Sequence, residues 1–106
     1  MTETHNITAA LWLWTSANAP ASWHFLTIGG EAAEAINALA LMRRLENGRR
    51  RGWGAIKVTA TIGATKWQTS IFPQKTSGGW LLPVKAAVRK AENLVAGDEV
   101  NVTLTV

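Results

Sequence analysis

Two stretches of alternating apolar and polar residues constrain the fold of this chain more than any other feature. Every second residue is apolar from Ile56 to Ile62, and the same alternation runs through residues 100–106. Successive side chains of a β-strand point to opposite faces, so a period of two predicts strands with one buried face and one wet face. We therefore expect the apolar side chains of both stretches to point inward and fill one closed sheet.

Turn and breaker residues predict further strands around these two. Gly63-Ala64 separates Ile56–Ile62 from a return strand over residues 65–72, and Pro73 is expected to end that strand because proline has no N–H for a ladder. Shorter strands are predicted over residues 23–28 and 80–82. A strand over residues 7–14 is apolar on both faces, so we expect it to be covered on both sides.

Two segments have the periodicity of helices. The first begins near Glu31 and ends at Asn47-Gly48, with apolar residues at helical spacing between them. Pro83 suits the first turn of the second helix, where its missing N–H costs nothing. The second helix has an apolar stripe at positions i, i+3, i+4 and i+7, formed by Val84, Ala87, Val88 and Ala91.

The order of these elements suggests an internal repeat. Trp23 opens a strand–helix–strand run that ends at Ile62, and Trp80 opens a shorter run of the same order that ends at Val106. Two such halves, each contributing a helix, would close a barrel. With 106 residues and no dividing linker, we expect residues 1–106 to be a single domain of mainly β class, a small double-split β-barrel capped by two short helices.

Short motifs spread over most of the chain resemble those of a known family. They are Ile62-Gly63, Trp67, Ser70-Ile71-Phe72-Pro73, Trp80, Leu82-Pro83-Val84-Lys85, Arg89-Lys90-Ala91, Gly97-Asp98, Val100 and Val102. In order and spacing they resemble the domain of unknown function family 1905. The resemblance implies a double-split β-barrel, and residues 82–102 are also similar to half of a swapped-hairpin transcription-factor domain. The family has no established activity, so the resemblance implies no catalytic residues.

Catalytic, metal and cofactor sites are not predicted. Ser70, His24 and Asp98 supply the residue types of a hydrolytic triad, but no G-x-S-x-G elbow surrounds the serine. The chain has two histidines and no cysteine, and its acidic residues lack the spacing of metal ligands. Its glycine pairs match neither a P-loop nor a dinucleotide fingerprint. An enzyme would need a pocket that brings Ser70, His24 or Lys85 together, and this hypothesis is not favoured.

Six tryptophans favour a binding or interaction module over an enzyme. Core packing is their most frequent use, but a ligand pocket or a homodimer interface is the sharper alternative. Lys85 and Arg89, four residues apart on the polar side of the second helix, could meet an anion or could be a solvated face. The candidate residues for a ligand site or interface are Trp12, Trp14, Trp67, Ser70, Lys85 and Arg89. The ligand is not identified by the sequence.

The alternative function is nucleic-acid binding through a cluster of basic residues. Phosphate contacts from arginines beside a base-stacking aromatic are typical of single-strand binders. A solvated helix end and loop would have the same composition. The cluster consists of Arg43, Arg44, Arg49, Arg50 and Arg51, followed by Trp53, in a chain of net charge +4.

The expected location is the cytoplasm. The first residues lack the basic start and apolar run of a secretory signal, and no segment approaches the roughly 18 apolar residues of a membrane span. The absence of cysteine is compatible with a reducing compartment. We expect a soluble protein without a membrane partner.

Overall fold

The computed structural model describes residues 3–47, 54–74 and 76–106, and its class is mainly β, as predicted. Seven strands and two helices lie within these ranges. In chain order they are β1 (Thr4–Ala10), β2 (Trp12–Ser16), β3 (Ala19–Ile28), α1 (Gly30–Asn47), β4 (Ile56–Ile62), β5 (Thr65–Gln74), β6 (Gly79–Pro83), α2 (Ala86–Glu92) and β7 (Glu99–Thr105).

The strands form a curled half-barrel sheet in the order β1-β7-β4-β5-β6-β3-β2, with antiparallel pairing throughout. The two runs predicted from the sequence are β3-α1-β4 and β6-α2-β7. Their first strands, β3 and β6, pair with each other, and so do their last strands, β4 and β7. β5 joins the halves, because it pairs with β4 as far as Ile71 and with β6 from Phe72 onward.

The core lies on the inner face of this sheet. The alternating residues of β4 and β7 point inward as predicted, and residues such as Ala60 and Leu104 are fully buried. Each large apolar side chain removed from water in this way contributes about 1.5–3 kcal/mol. Their polar neighbours, including Lys57 and Asn101, stay on the outer face.

Helix α1 is attached to the sheet by both apolar and polar contacts. Ile36 is fully buried and Ala33 nearly so. On the same helix, Asn37 accepts a hydrogen bond from Nε1 of the buried Trp80 (2.8 Å) and donates one to the carbonyl of Gly78 (3.2 Å). These bonds fix α1 against the start of β6.

Helix α2 is short and is held near the β4–β5 hairpin. Glu92 in its last turn accepts a hydrogen bond from the Thr65 hydroxyl (2.6 Å), and Asn93 ends the helix in a left-handed conformation (φ 55°). Of the predicted stripe, Val84 and Val88 are buried, whereas Ala87 and Ala91 are exposed. The stripe is therefore only half correct, since Val84 precedes the helix and Val88 is the one residue of α2 that is buried.

The strand predicted over residues 7–14 is in fact two strands, interrupted at Leu11. The Leu11 N–H donates to the carbonyl of Asp98 (2.8 Å), and its own carbonyl accepts from Gly97 (2.7 Å), so its backbone bonds outside the β1 and β2 ladders. The expectation that both faces would be covered was wrong for β2. Leu13 is 47% exposed and Trp14 is 44% exposed.

Pro73 and Pro83 occupy positions in the strands that differ from those predicted. Pro73 does not end β5, which continues to Gln74 with Pro73 opposite Trp80. Pro83 is the last residue of β6 and not part of α2, which begins at Ala86. Pro73 pairs only with β6 and Pro83 only with β3, so each proline lies where one side of its strand is unpaired.

Within the described ranges, neither helix combines the length and hydropathy needed to cross a membrane.

Candidate functional site

A concavity of about 400 Å³ lies where β3, β5 and the start of α2 meet. Three of its lining residues, His24, Lys85 and Arg89, carry nitrogen bases or cations, and we call it the basic pocket. The rest of its lining is polar or apolar and uncharged. Those residues are Ser22, Trp23, Trp67, Gln68, Thr69, Pro83, Val84 and Ala86.

The backbone of Val84 positions two of the three basic side chains. Its N–H donates to the carbonyl of His24 (2.9 Å), which fixes the β6–α2 junction against β3. Its carbonyl accepts a hydrogen bond from Nε of Arg89 (3.1 Å), which fixes the guanidinium relative to the same junction. Because only Nε is used in this bond, the two terminal NH₂ groups of Arg89 keep donors for another acceptor.

His24 has a buried ring nitrogen without a protein partner. The side chain lies on the inner face of β3, in alternation with the fully buried Leu26 and Ile28. Its Nδ1 is shielded from solvent and makes no hydrogen bond within the described residues. Burial lowers the pKa of His24, and the nearby positive charge of Arg89 lowers it further. Both effects therefore favour the neutral imidazole at pH 7.

A second concavity, of about 470 Å³, lies on the outer face of β2, β3, β5 and β6. The strand register creates it, because Trp12 is opposite Phe25, Trp14 is opposite Trp23, and Phe72 is opposite Leu81, all with side chains on one face. We call it the aromatic groove. It is lined by Trp12, Trp14, Trp23, Phe25, Phe72, Gln74, Leu81 and Pro83.

The rings of the aromatic groove hold defined orientations. The Trp12 indole donates from Nε1 to the Thr27 hydroxyl (2.8 Å). Its ring lies 5.3 Å from that of Phe25, centroid to centroid, at an angle of 42°. Phe25 in turn lies 6.2 Å from Trp23, with the two ring planes only 8° apart. These contacts therefore hold three of the rings that line the groove, Trp12, Phe25 and Trp23, in defined orientations.

The basic pocket and the aromatic groove are neighbours. Trp23 and Pro83 line both of them.

The structure divides the residues predicted for a ligand site into two groups. Trp67, Lys85 and Arg89 line the basic pocket, and Trp12 and Trp14 line the aromatic groove. Ser70 lines neither of these two concavities, and it lies opposite Lys57 in the β4–β5 ladder.

The residue types of the hydrolytic triad are not gathered at this site. Asp98 accepts a hydrogen bond from the N–H of Val95 (2.9 Å) in the turn before β7, and neither Asp98 nor Ser70 lines the pocket that contains His24.

Sequence reasoning did not propose Trp23 and Pro83, and it named His24 only for the enzyme hypothesis, which required a pocket shared with Ser70 or Lys85. The structure brings His24 and Lys85 to one pocket, without Ser70. The alternation of His24 with Leu26 and Ile28 was a usable signal, because it places the imidazole on the core side of β3. No comparable signal existed for Pro83, whose place in the site depends on the pairing of β6 with β3.

The basic cluster proposed for nucleic acid is only partly described. Arg43 and Arg44 are exposed near the end of α1. Arg49, Arg50, Arg51 and Trp53 lie outside the described residues. In the part of the chain that the structure covers, no group of three or more His, Asp or Glu side chains is placed to hold a metal ion.

Comparison with known proteins gives a family but no characterised relative. A search of curated proteins finds no match for this chain. A family model described as Domain of unknown function (DUF1905) matches residues 8–104, which include every strand of the sheet in whole or in part, and both concavities. This chain belongs to the DUF1905 family.

Proposed function

We propose that this protein is a non-enzymatic binding module whose basic pocket takes a small organic anion. The observation that carries the proposal is the chemistry of the pocket wall. His24, Lys85 and Arg89 line it, and none of its lining residues within the described ranges is acidic. A concave surface with charges of one sign concentrates ligands of the opposite sign.

Arg89 supports a carboxylate or phosphate ligand in particular. Its hydrogen bond to the Val84 carbonyl restrains the guanidinium, so less side-chain entropy is lost when an anion binds. The terminal NH₂ groups form a planar fork that matches two oxygens of a carboxylate. Lys85, which is exposed at the N-cap of α2, adds a second and more mobile positive charge.

The uncharged part of the wall strengthens this attraction. Trp67 is 8% exposed and Val84 is buried, so one side of the pocket is protein interior and not water. Charges beside such a wall interact more strongly than they do in bulk solvent. The pocket volume also falls within the range of about 300–1,000 Å³ that is typical of small-molecule sites.

An anion in the pocket should also change the protonation of His24. Burial and Arg89 disfavour the charged imidazole and lower its pKa, and an adjacent negative charge acts in the opposite direction. We therefore expect binding to be accompanied by proton uptake and to tighten as the pH falls.

A titration of the isotope-labelled protein with sodium acetate, and separately with methyl phosphate, tests the proposal by NMR at constant ionic strength. The amides of His24 and residues 84–86 should shift. Lys85→Gln should weaken binding roughly threefold, as expected for one solvent-exposed ionic contact. Arg89→Lys, which keeps the charge but removes the fork, should weaken acetate binding as well.

The matched control is Lys57→Gln, which removes the same charge from the outer face of β4. If Lys57→Gln weakens binding as much as Lys85→Gln, the anions respond only to net charge and the pocket proposal is wrong. The proposal also fails if the pocket amides do not shift with either anion.

Nucleic-acid binding is a second candidate function, favoured by the exposure of Arg43 and Arg44, which precede Arg49–Arg51 in the chain by a few residues. Affinity for a labelled oligonucleotide should then fall steeply with salt. The combined change of Arg49, Arg50 and Arg51 to alanine should reduce both the affinity and the salt slope. Unchanged binding in that variant, with Lys57→Ala as the control, would exclude this surface.

A further inference from the structure

We propose that the anion is an aromatic carboxylate, with its carboxylate in the basic pocket and its ring system in the aromatic groove. This inference rests on the proposed function and names the class of ligand. Its basis is the juxtaposition of the two concavities, which share Trp23 and Pro83. A ligand that fills both needs a negative charge at one end and an apolar body at the other.

The exposure of the groove indicates that something apolar fits there. Trp14 is 44% exposed, Trp23 is 52% exposed and Phe72 is 39% exposed. These large rings lie side by side on one sheet face, and contiguous apolar surface of this kind is typical of binding sites. Gln74 is the one polar residue among those that line the groove, so the body of the ligand needs few hydrogen-bonding groups.

The geometry of the rings favours a flat body over a flexible chain. Trp12 is held by its bond to Thr27, and the planes of Trp23 and Phe25 are nearly parallel. Flat walls of this kind can stack on a planar ring at a favourable offset or meet its edge. A flexible aliphatic chain would lose more conformational freedom on binding to an open trough and would gain no such ring contacts.

Charge sets the orientation of the ligand. The cationic residues Lys85 and Arg89 lie in the basic pocket, and the groove lining has no charged residue. The carboxylate of a fused-ring acid can therefore find a cationic partner only in the basic pocket. The register of β2 with β3 and of β3 with β6 then places the rings beside it.

Isothermal titration calorimetry with three matched compounds tests the inference. The compounds are 2-naphthoate, its saturated analogue decahydro-2-naphthoate, and the uncharged 2-naphthylmethanol. We expect 2-naphthoate to bind about three- to tenfold more tightly than the saturated acid, as aromatic contacts would predict. The uncharged alcohol should bind more weakly than 2-naphthoate.

Variants of the groove separate ring recognition from anion recognition. Trp23→Leu keeps an apolar side chain but removes the indole, and it should weaken 2-naphthoate binding while acetate still shifts the amides of the basic pocket. Phe72→Leu, on a different strand, should have the same effect. Agreement between the two variants would show that the loss of binding is not due to misfolding of one of them. Leu45→Ala is the control, because Leu45 is an exposed apolar residue on α1 that lines neither concavity.

The outcomes distinguish this inference from the proposed function. If both acids bind equally and Trp23→Leu has no effect, while Lys85→Gln weakens both, the aromatic class is wrong and the anion site stands. If Lys85→Gln and Arg89→Lys weaken neither acid, the proposed function itself is wrong.

Light scattering of the wild-type protein and of Trp23→Leu measures whether the groove is instead a dimer contact. A dimer that this substitution converts to a monomer, together with no binding of 2-naphthoate, would make the groove a contact between two copies and would overturn the inference.

Discussion

At the scale of single residues, His24 has the least complete set of interactions in the described structure. Its Nδ1 is the one buried side-chain polar atom there without a hydrogen-bond partner, and such an atom costs about 1–3 kcal/mol if nothing satisfies it. His24 also lines a pocket that contains two cationic side chains, Lys85 and Arg89.

Stability should depend on pH through His24. Its pKa in the folded protein lies below the ordinary value of 6.5, so the unfolded chain takes up the proton first as the pH falls. The contribution of His24 to the free energy of unfolding is therefore complete above pH 6.5 and decreases as the pH falls from there towards the lowered value in the folded state.

Urea unfolding above and below pH 6.5 measures this effect. His24→Gln should lose less stability on acidification than wild type does. Equal slopes in wild type and His24→Gln would show that the imidazole is not disfavoured in its charged form.

Gly79 illustrates a position where the sheet leaves no room for a side chain. A Cβ there would lie 2.5 Å from the carbonyl oxygen of Ile28 on the neighbouring strand, and backbone cannot move away cheaply. Gly79→Ala should therefore lower the free energy of unfolding by about 1–3 kcal/mol. The control is Gly29→Ala, since nothing lies within 4 Å of a Cβ at that position. A loss equal to that of the control would contradict the close approach.

At the scale of elements, the polar part of the attachment of α1 depends on the side chain of Asn37. Asn37→Ala leaves the indole N–H of the buried Trp80 without its acceptor, which should cost about 1–3 kcal/mol. Thermal unfolding would measure the loss. Glu34→Ala, at an exposed position of the same helix, should change stability by no more than about 0.5 kcal/mol. A small effect of Asn37→Ala would mean that water replaces the lost bond.

The elements predicted best are those whose structure is determined by residues in the same short stretch of sequence. The bounds of β4 were predicted to the residue and those of β7 to within one, because alternation and neighbouring turns lie in the same short stretch of sequence. The interruption at Leu11 was not predictable, since its cause is hydrogen bonding with Gly97 and Asp98 near the other end of the chain.

The candidate site was predictable to the same limited degree. The spacing of Lys85 and Arg89 and the abundance of tryptophan pointed to five residues that line the two concavities, but not to which residues share one of them. That division depends on the strand order and register, which set the residues of β3, β5 and β6 that line each concavity.

At the scale of the whole molecule, we expect β5 to make the two halves unfold as one cooperative unit, because it pairs with β4 and with β6. Ile71, the last residue that pairs with β4, is fully buried, and Phe72, the first that pairs with β6, is on the outer face. Ile71→Ala should destabilise both halves together, by about 2–5 kcal/mol. Phe72→Ala, its exposed neighbour, should cost less.

Denaturation followed both by tryptophan fluorescence and by far-UV circular dichroism measures this cooperativity. The two signals should report a single transition in wild type and in Ile71→Ala. Two separated transitions would show that each half unfolds by itself.

The outer surface of the sheet changes character from one half to the other. Over β1, β7 and β4 it carries Thr and Asn side chains that bond across the strands, as Thr103 does to Asn6 (2.9 Å), whereas over β5, β6, β3 and β2 it carries the aromatic groove. One half of the outer surface is therefore polar and the other half is aromatic. We expect the protein to adsorb to a phenyl-coated bead or to an air–water interface with the aromatic groove facing the apolar surface. Attachment to a support through Thr103 would instead leave the aromatic groove exposed to solvent.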